Sequence, residues 1–319
     1  MTALAATAQG KLAWLAIAAV TIGLGAAAIV VLAPWTRDFL DARRVLQAGE
    51  AWASGHNPYD ISGYFYTPAL AVVASFLPDW SVGVVVVGGL LTAVALSPRH
   101  PIAVFAVLCY PPVWGDLALG NVTILLTGAV ALAIARDHPL RGVPLGIGLA
   151  LVPKPMFVPI VLWLLVHRRR SATGVVLAGL AVTLPALLTG LYPAFVMALV
   201  RGIGPSFEGN LGITAWLPWA GIPMTILALV LTLLVIRREE AGLMVAAIAG
   251  TLMGTYVGLY APVLPASLLA RFERHDGRRG LVLGTIGSVA WLALPVAAAA
   301  GLLVAMRSGR RDADGEPTA

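Results

Sequence analysis

Charged residues and cysteine are scarce in this sequence. Of its 319 residues, 11% are charged and 59% are hydrophobic, and the mean hydropathy is +0.90. So little polar surface cannot cover a globule in water, which excludes an ordinary soluble domain. Cys109 is the only cysteine and lies in an apolar run, which excludes a disulfide framework and a thiolate metal site.

The short motifs of several common enzyme classes are also absent. The sequence contains no Gly-x-x-x-x-Gly-Lys-Ser/Thr, no His-Glu-x-x-His and no Gly-x-Ser-x-Gly, so ATPases, zinc proteases and serine hydrolases have no support. The acids Asp79 and Asp116 are far apart and lack a supporting cluster, and we predict no required metal and no cofactor. The net charge of +6 comes from short basic clusters between apolar runs, which is typical of membrane-protein loops and not of nucleic-acid binding.

Apolar runs recur along the whole chain and predict an all-α, polytopic transmembrane bundle. The runs are 12–34, 80–97, 101–118, 121–135, 142–153, 155–167, 174–190, 222–236, 241–256, 257–270 and 281–306. Several are shorter than the roughly 20 residues that cross a bilayer unaided, so we expect about 10–12 helices with short, broken spans. We expect a single membrane domain over 1–306 and a polar, disordered tail over 307–319.

The basic clusters predict the orientation of the bundle. Segments around Arg99, 136–141, 168–170, 237–238 and 271–279 can all lie on the cytoplasmic side of the membrane. The same path places a first outer loop over 35–66 and a second over 191–221, although it also leaves the arginines of the tail outside. We therefore expect a multi-pass protein of the cytoplasmic membrane whose functional residues face the extracytoplasmic side.

The first outer loop is unusually rich in charge. Its stretch RDFLDARRVLQAGEAWASGHNPYD holds seven formal charges in 24 residues. Between Asp38 and Trp52 apolar residues recur at helical spacing, which predicts an amphipathic helix on the outer membrane surface. Asp38 and Asp41 share one face of that helix. One interpretation makes Asp38 the helix N-cap and Asp41 a first-turn acid paired with Arg44; the other gives one of the two aspartates a catalytic role.

Four segments of the chain resemble glycosyltransferase family 87 in their order and spacing. They are AGEAWASGHNPYD, YFYTPALAVVASFLP, GNVTILLTG and GLALVPKPMFVPIVLWLLVHRRR. The resemblance is good over residues 36–170 and looser beyond them. Members of this family are integral-membrane GT-C enzymes that depend on polyprenyl-phosphomannose, so the resemblance implies a GT-C fold and a mannosyltransferase-like activity.

The resemblance implies a catalytic aspartate just after the first span. Counting back from Gly55 without gaps places it at Asp41, whereas matching the Asp-Phe dipeptide places it at Asp38. We favour Asp41 and keep both as candidates for the general base. The expected substrates are a polyprenyl-phosphate sugar, with mannose as the sugar, and a glycan or glycolipid acceptor. Val45 and Leu46 depart from the pattern, because the family usually has tyrosines at these positions.

Lys154 is the first candidate for binding the donor phosphate. It is one of only two lysines and interrupts the apolar run Gly142–Val166 between two prolines. An ionisable group there is costly unless it meets a partner, so a functional role is favoured; alternatively, the side chain snorkels to water from an outer turn. Further candidates are Arg201, Arg44 and Asn121, which opens a helix that presents amides to an anion or is simply its cap.

Aromatic residues of the outer loops are candidates for contact with sugar. We expect Tyr59, Tyr66 and Trp216 to contact the donor sugar or the acceptor, although most loop aromatics of membrane proteins form interfacial belts. Two other functions remain open. A transporter or flippase of lipid-linked sugar also combines broken helices with a lone charge, and a degenerate family member would bind the lipid without catalysis.

Overall fold

The computed structural model describes residues 39–96, 111–202, 217–253 and 263–272. Over these residues the chain is helical and forms no strand, which confirms the all-α prediction for the part described. The α-helices in chain order are α1 (Leu40–Ala53), α2 (Pro68–Ala74), α3 (Ser81–Leu96), α4 (Pro111–Leu119), α5 (Thr123–Ala135), α6 (Pro139–Leu151), α7 (Val158–His167), α8 (Arg169–Leu187), α9 (Tyr192–Gly202), α10 (Gly221–Val235), α11 (Glu239–Leu252) and α12 (Val263–Phe272). Short 3-10 turns span Pro58–Asp60, Pro155–Phe157 and Pro218–Ala220.

The apolar runs predict most of these helices to within a few residues. The runs 80–97, 121–135 and 222–236 correspond to α3, α5 and α10. Within the predicted second outer loop, the structure adds α9, which the sequence analysis did not anticipate. The first and last apolar runs and the polar tail over 307–319 lie outside the described residues.

Helix α1 is the amphipathic helix predicted in the first outer loop. It follows Phe39, which has a left-handed backbone conformation with a φ of 55° and gives no side-chain cap. Its buried face includes Gly49, where an added Cβ would lie 2.5 Å from the carbonyl carbon of Ala74 in α2. The absence of a side chain at Gly49 therefore lets α1 lie directly on α2.

The main core lies between α5, α6, α7, α8 and α11, around fully buried Trp163, Phe157 and Leu145. Helices α6 and α8 run in the same direction and touch along glycines. Gly142 and Gly146 lie against backbone carbonyls of α8, and a Cβ at either position would overlap those atoms. The Gly142–Gly146 pair thus has a packing role, because small residues let two helix backbones approach closely.

The two ends of this core carry different chemistry. At one end the arginine-rich turns meet: Arg168 binds Glu239 and donates to the carbonyl of Ile134, and His167 Nε2 lies 2.6 Å from the carbonyl oxygen of Ile236. The helices that begin or end there are α5 to α8, α10 and α11. The opposite end contains the N-termini of α5 and α7 and the C-termini of α6 and α11. The candidate site lies at that opposite end.

Of the described helices, α8, with 19 residues, is long and apolar enough to cross a membrane by length and composition. Five further apolar stretches of 10–17 residues fall below that length. Large apolar side chains are nevertheless exposed on many helices, including Leu91 on α3, Leu177 on α8 and Leu234 on α10.

Candidate functional site

The Asp41 carboxylate on α1 is held by groups from two segments of the chain. Asn121 Nδ2 donates to Asp41 Oδ2 at 2.7 Å across 80 positions of sequence. Arg44 Nη1, one turn along the helix, lies 3.9 Å from Asp41 Oδ1. The Asp41 side chain keeps 20% of its surface exposed. Of the two predicted catalytic aspartates, Asp41 is therefore in contact with other predicted site residues, whereas Asp38 lies outside the described residues.

Local backbone geometry directs Asn121 at Asp41. Gly120 has a φ of +64°, and an added Cβ would lie 2.7 Å from the Ala42 side chain, so the turn fits beneath α1 only with glycine. Asn121 Oδ1 accepts from the amide of Val122 at 2.7 Å and from Thr123 Oγ1 at 3.1 Å. Because the oxygen is used inside the turn, the amide nitrogen is the group that faces Asp41.

Asp116 of α4 contacts the same turn through both its side chain and its backbone carbonyl. It is fully buried, and its Oδ2 accepts from the amide of Ile124 at 2.8 Å. Its backbone carbonyl accepts from the amide of Asn121, also at 2.8 Å. A carboxylate here satisfies a free amide at the start of α5 and is favoured by the helix dipole. Asp116 and Asn121 thus already accept hydrogen bonds from some of the amides at the start of α5 that are predicted to bind an anion.

The sequence does not predict Asp116 as part of the site, because this acid is far from the other acids and suggests only a cation ligand without a supporting cluster. The missed signal was its position: a lone carboxylate inside an otherwise apolar run is a functional candidate for the same reason as Lys154.

Lys154 lies between α6 and the 3-10 turn Pro155–Phe157, where two contacts fix its backbone. Thr67 Oγ1 donates to the carbonyls of Ala150 at 2.7 Å and Leu151 at 3.0 Å, which are free at the end of α6. On the other side, Gly250 of α11 lies so close to the Met156 carbonyl that an added Cβ would overlap it. The turn is therefore held in place by Thr67 on one side and by α11 on the other.

The charge of Lys154 acts on both Asp41 and Asp116. Burial lowers the pKa of Lys154 to about 8, and the two carboxylates partly offset this effect. Burial likewise raises the pKa of Asp41, while Lys154, the Asn121 hydrogen bond and Arg44 act in the opposite direction. The site thus contains a carboxylate that is more basic than an exposed aspartate and an ammonium that is more acidic than an exposed lysine.

Arg44 and Tyr66 form the rim of the site on the first outer loop. The guanidinium lies over Gly63, whose φ is +80° and where an added Cβ would lie 2.5 Å from Arg44 Cζ. Burial raises the pKa of the Tyr66 phenol, and the charge of Asp41 adds to this effect. Tyr59 Oη donates to the carbonyl of Tyr66 at 2.9 Å. Tyr59 therefore holds the loop that carries Tyr66.

Of the predicted site residues, the structure brings together Asp41, Arg44, Asn121 and Lys154. Tyr66 is close enough for the charge of Asp41 to affect the pKa of its phenol. The structure also adds Asp116 to this group. Arg201 belongs to α9, but its side chain, like the whole of Trp216, lies outside the described part. Within that part, no group of three or more His, Cys, Asp or Glu residues is arranged to hold a metal ion.

Comparison with protein-family models, curated proteins and solved structures finds no match to this chain. The resemblance to glycosyltransferase family 87 thus rests on the four sequence segments alone and stays a prediction.

Proposed function

We propose that the protein is an integral-membrane glycosyltransferase of the GT-C type with Asp41 as its general base. It transfers a sugar, mannose by the family resemblance, from a polyprenyl-phosphate donor to a glycan or glycolipid acceptor. One observation carries the proposal: a partly buried carboxylate, oriented by Asn121, shares a site with Lys154 and Arg44. Such a site combines a base for a hydroxyl group with cations for a phosphate.

The exposed apolar side chains support a multi-pass membrane protein. Leu188, Ile222 and Leu234 are 90%, 75% and 75% exposed, although removing apolar surface from water stabilises a protein by about 25 cal/mol per Å². Leaving these side chains in water would therefore cost free energy. A lipid environment removes this cost along whole helix faces. Arginines gather at one end of the core and the site lies at the other, which supports a cytoplasmic arginine end and an extracytoplasmic site.

The chemistry requires one displacement at the anomeric carbon. The acceptor oxygen forms a bond to that carbon while the bond to the phosphate oxygen breaks and the phosphate leaves with the electron pair. Asp41 takes the acceptor's hydroxyl proton, a contribution of typically about 10²–10⁴-fold in rate. Lys154 and Arg44 stabilise the negative charge that develops on the departing phosphate.

Sugar transfer from radiolabelled polyprenyl-phosphomannose, measured in membranes with matched protein levels, tests the proposal. We expect Asp41→Asn to lose about 10²–10⁴-fold of the rate, because it removes the base and keeps the shape. Asp60→Asn, which neutralises an exposed acid of the same loop, serves as the control and should stay near wild type.

Other outcomes have definite meanings. A large loss in Asp38→Asn with a normal Asp41→Asn would move the base to Asp38. Wild-type transfer no greater than that of an empty vector would contradict the proposed enzyme and donor. Transport of the lipid-linked sugar across vesicle membranes would then be the measurement to make.

A further inference from the structure

Three helix junctions meet at the end of the core opposite the candidate site. They join α5 to α6, α7 to α8 and α10 to α11. Arg168, at the middle junction, donates from Nε to the carbonyl of Ile134 in α5 at 3.2 Å and pairs with Glu239 at the start of α11. The backbone carbonyl of Glu239 in turn accepts from Trp163 Nε1 at 2.8 Å. The middle junction therefore contacts both of the others, and the three form one surface.

Five arginines are exposed on this surface, which we call the arginine surface. They are Arg136, Arg169, Arg170, Arg237 and Arg238. Within the described part of the chain, none of the five forms an ion pair with an acid. A guanidinium keeps its charge at every physiological pH, and its paired N–H donors match two oxygens of a phosphate group. The arginine surface is therefore suited to bind phosphate.

Two of the acids beside these arginines already have other partners. Asp137 Oδ1 accepts from the Ser171 amide in the first turn of α8 at 2.9 Å, and Glu239 pairs with Arg168. Glu240, which follows it in α11, is exposed. Asp137 and Glu239 thus satisfy a helix N-terminus and a cation of the core, and the exposed arginines keep an excess of positive charge.

The apolar residues beside the arginine surface favour a lipid as the source of the phosphate. At each junction an exposed leucine lies four positions before an exposed arginine. The pairs are Leu132 and Arg136, Leu165 and Arg169, and Leu233 and Arg237. In a bilayer the phosphate layer lies directly beside the acyl chains, so one junction can contact both. A phosphate compound dissolved in water offers no apolar neighbour to these leucines.

We propose that the arginine surface binds the headgroups of anionic phospholipids in the membrane leaflet that it faces. The guanidinium groups donate to the lipid phosphate, and the net negative charge of the headgroup is attracted by all five arginines. A zwitterionic headgroup carries an ammonium group that the same arginines repel. The inference goes beyond sugar transfer and depends only on the proposed membrane location of the chain.

Lipid binding to the purified protein tests this inference. The full chain in detergent is titrated with phosphatidylglycerol and, separately, with phosphatidylcholine, and native mass spectrometry counts the bound lipids. We expect phosphatidylglycerol to bind at least about tenfold more tightly, because several arginines contribute to its attraction. This preference should decrease as the salt concentration rises, since the arginines are exposed to solvent.

Variants of the arginine surface should change this binding in both directions. Arg169→Gln combined with Arg170→Gln should weaken phosphatidylglycerol binding about 25-fold, because each arginine near an anionic surface contributes about fivefold. Glu240→Gln removes an exposed acid and should strengthen binding about fivefold, a gain that unfolding cannot produce. Arg43→Gln, at an exposed arginine of α1 near the other end of the core, is the control and should leave binding unchanged.

Three results would overturn the inference. They are equal binding of the two lipids, unchanged phosphatidylglycerol binding in the folded double variant, and displacement of bound phosphatidylglycerol by millimolar inorganic phosphate. The last would show that the surface takes free phosphate and not a membrane lipid. Sugar transfer is measured separately, so a protein that prefers phosphatidylglycerol but transfers no sugar would contradict the proposed enzyme and support this inference.

Discussion

Burial raises the pKa of the Asp41 carboxyl, and Asn121 opposes this effect through a single hydrogen bond. Its amide oxygen is used by Val122 and Thr123, so its nitrogen donates to the Asp41 carboxylate. A donor to a carboxylate favours the ionised form and opposes the effect of burial on the Asp41 pKa. Asn121 therefore keeps Asp41 ionised, and able to accept a proton, down to a lower pH.

Removing this donor should shift the acidic limb of activity. In Asn121→Ala the pKa of Asp41 should rise, because the ionised form loses its hydrogen bond, and the acidic limb of the kcat/KM profile should move up by about one pH unit. A pH series of sugar transfer measures the limb. Asn57→Ala removes an amide that binds Tyr59 and Asp60 and should leave the limb in place; an equal shift in both variants would contradict the role of Asn121.

At the scale of elements, the position of α1 depends on the turn beneath it. The turn passes under Ala42 at Gly120, where a left-handed backbone and a close contact coincide. Gly55, at the end of α1, has a similar φ of +76° but no neighbour within 4 Å of an added Cβ. Comparing the two glycines therefore separates the effect of a left-handed backbone from the effect of a close contact.

Alanine at these two glycines should have different effects on the site. Both substitutions should destabilise the protein by about 1–2 kcal/mol, the cost of a left-handed alanine. Gly120→Ala should in addition push α1 away from Asn121 and lower sugar transfer well below that of Gly55→Ala. Thermal unfolding in detergent measures the first effect and initial rates the second. Equal activities in the two variants would mean that the contact of α1 with the turn is not needed.

Periodicity and composition predicted single elements well and their contacts poorly. Apolar spacing was enough to find α1, and the two prolines around Lys154 were enough to end α6 before it. The contact between Asp41 and Asn121 could not be predicted, because it depends on the left-handed backbone at Gly120 and on the packing of α1 over it. Helix α9 was missed because it lies in a segment that the charge count treats only as an outer loop.

For the whole molecule, the proposed orientation separates the site from the arginine end. Asp60 belongs to the loop that follows α1, and Arg170 lies in the first turn of α8 at the arginine-rich end; both side chains are exposed. Each position is therefore suited to report which side of the membrane its end of the bundle faces.

Cysteine labelling of intact cells should distinguish the two ends. In a Cys109→Ser background, which has no other cysteine, Asp60→Cys should react with a membrane-impermeant maleimide on intact cells. Arg170→Cys should react only after the cells are permeabilised, because the proposed orientation places the arginine-rich end in the cytoplasm. The reverse pattern would place the site on the cytoplasmic side.

The Thr67 contact has a consequence for how the site moves. Thr67 joins the loop before α2 to the last carbonyls of α6, and α2 in turn lies directly on Gly49 of α1. The segment that carries Asp41 and the segment that carries Lys154 are thereby fastened to each other at their ends. Thermal motion of the outer loop should carry both together, so the spacing between proton acceptor and cation stays constant while the site as a whole shifts.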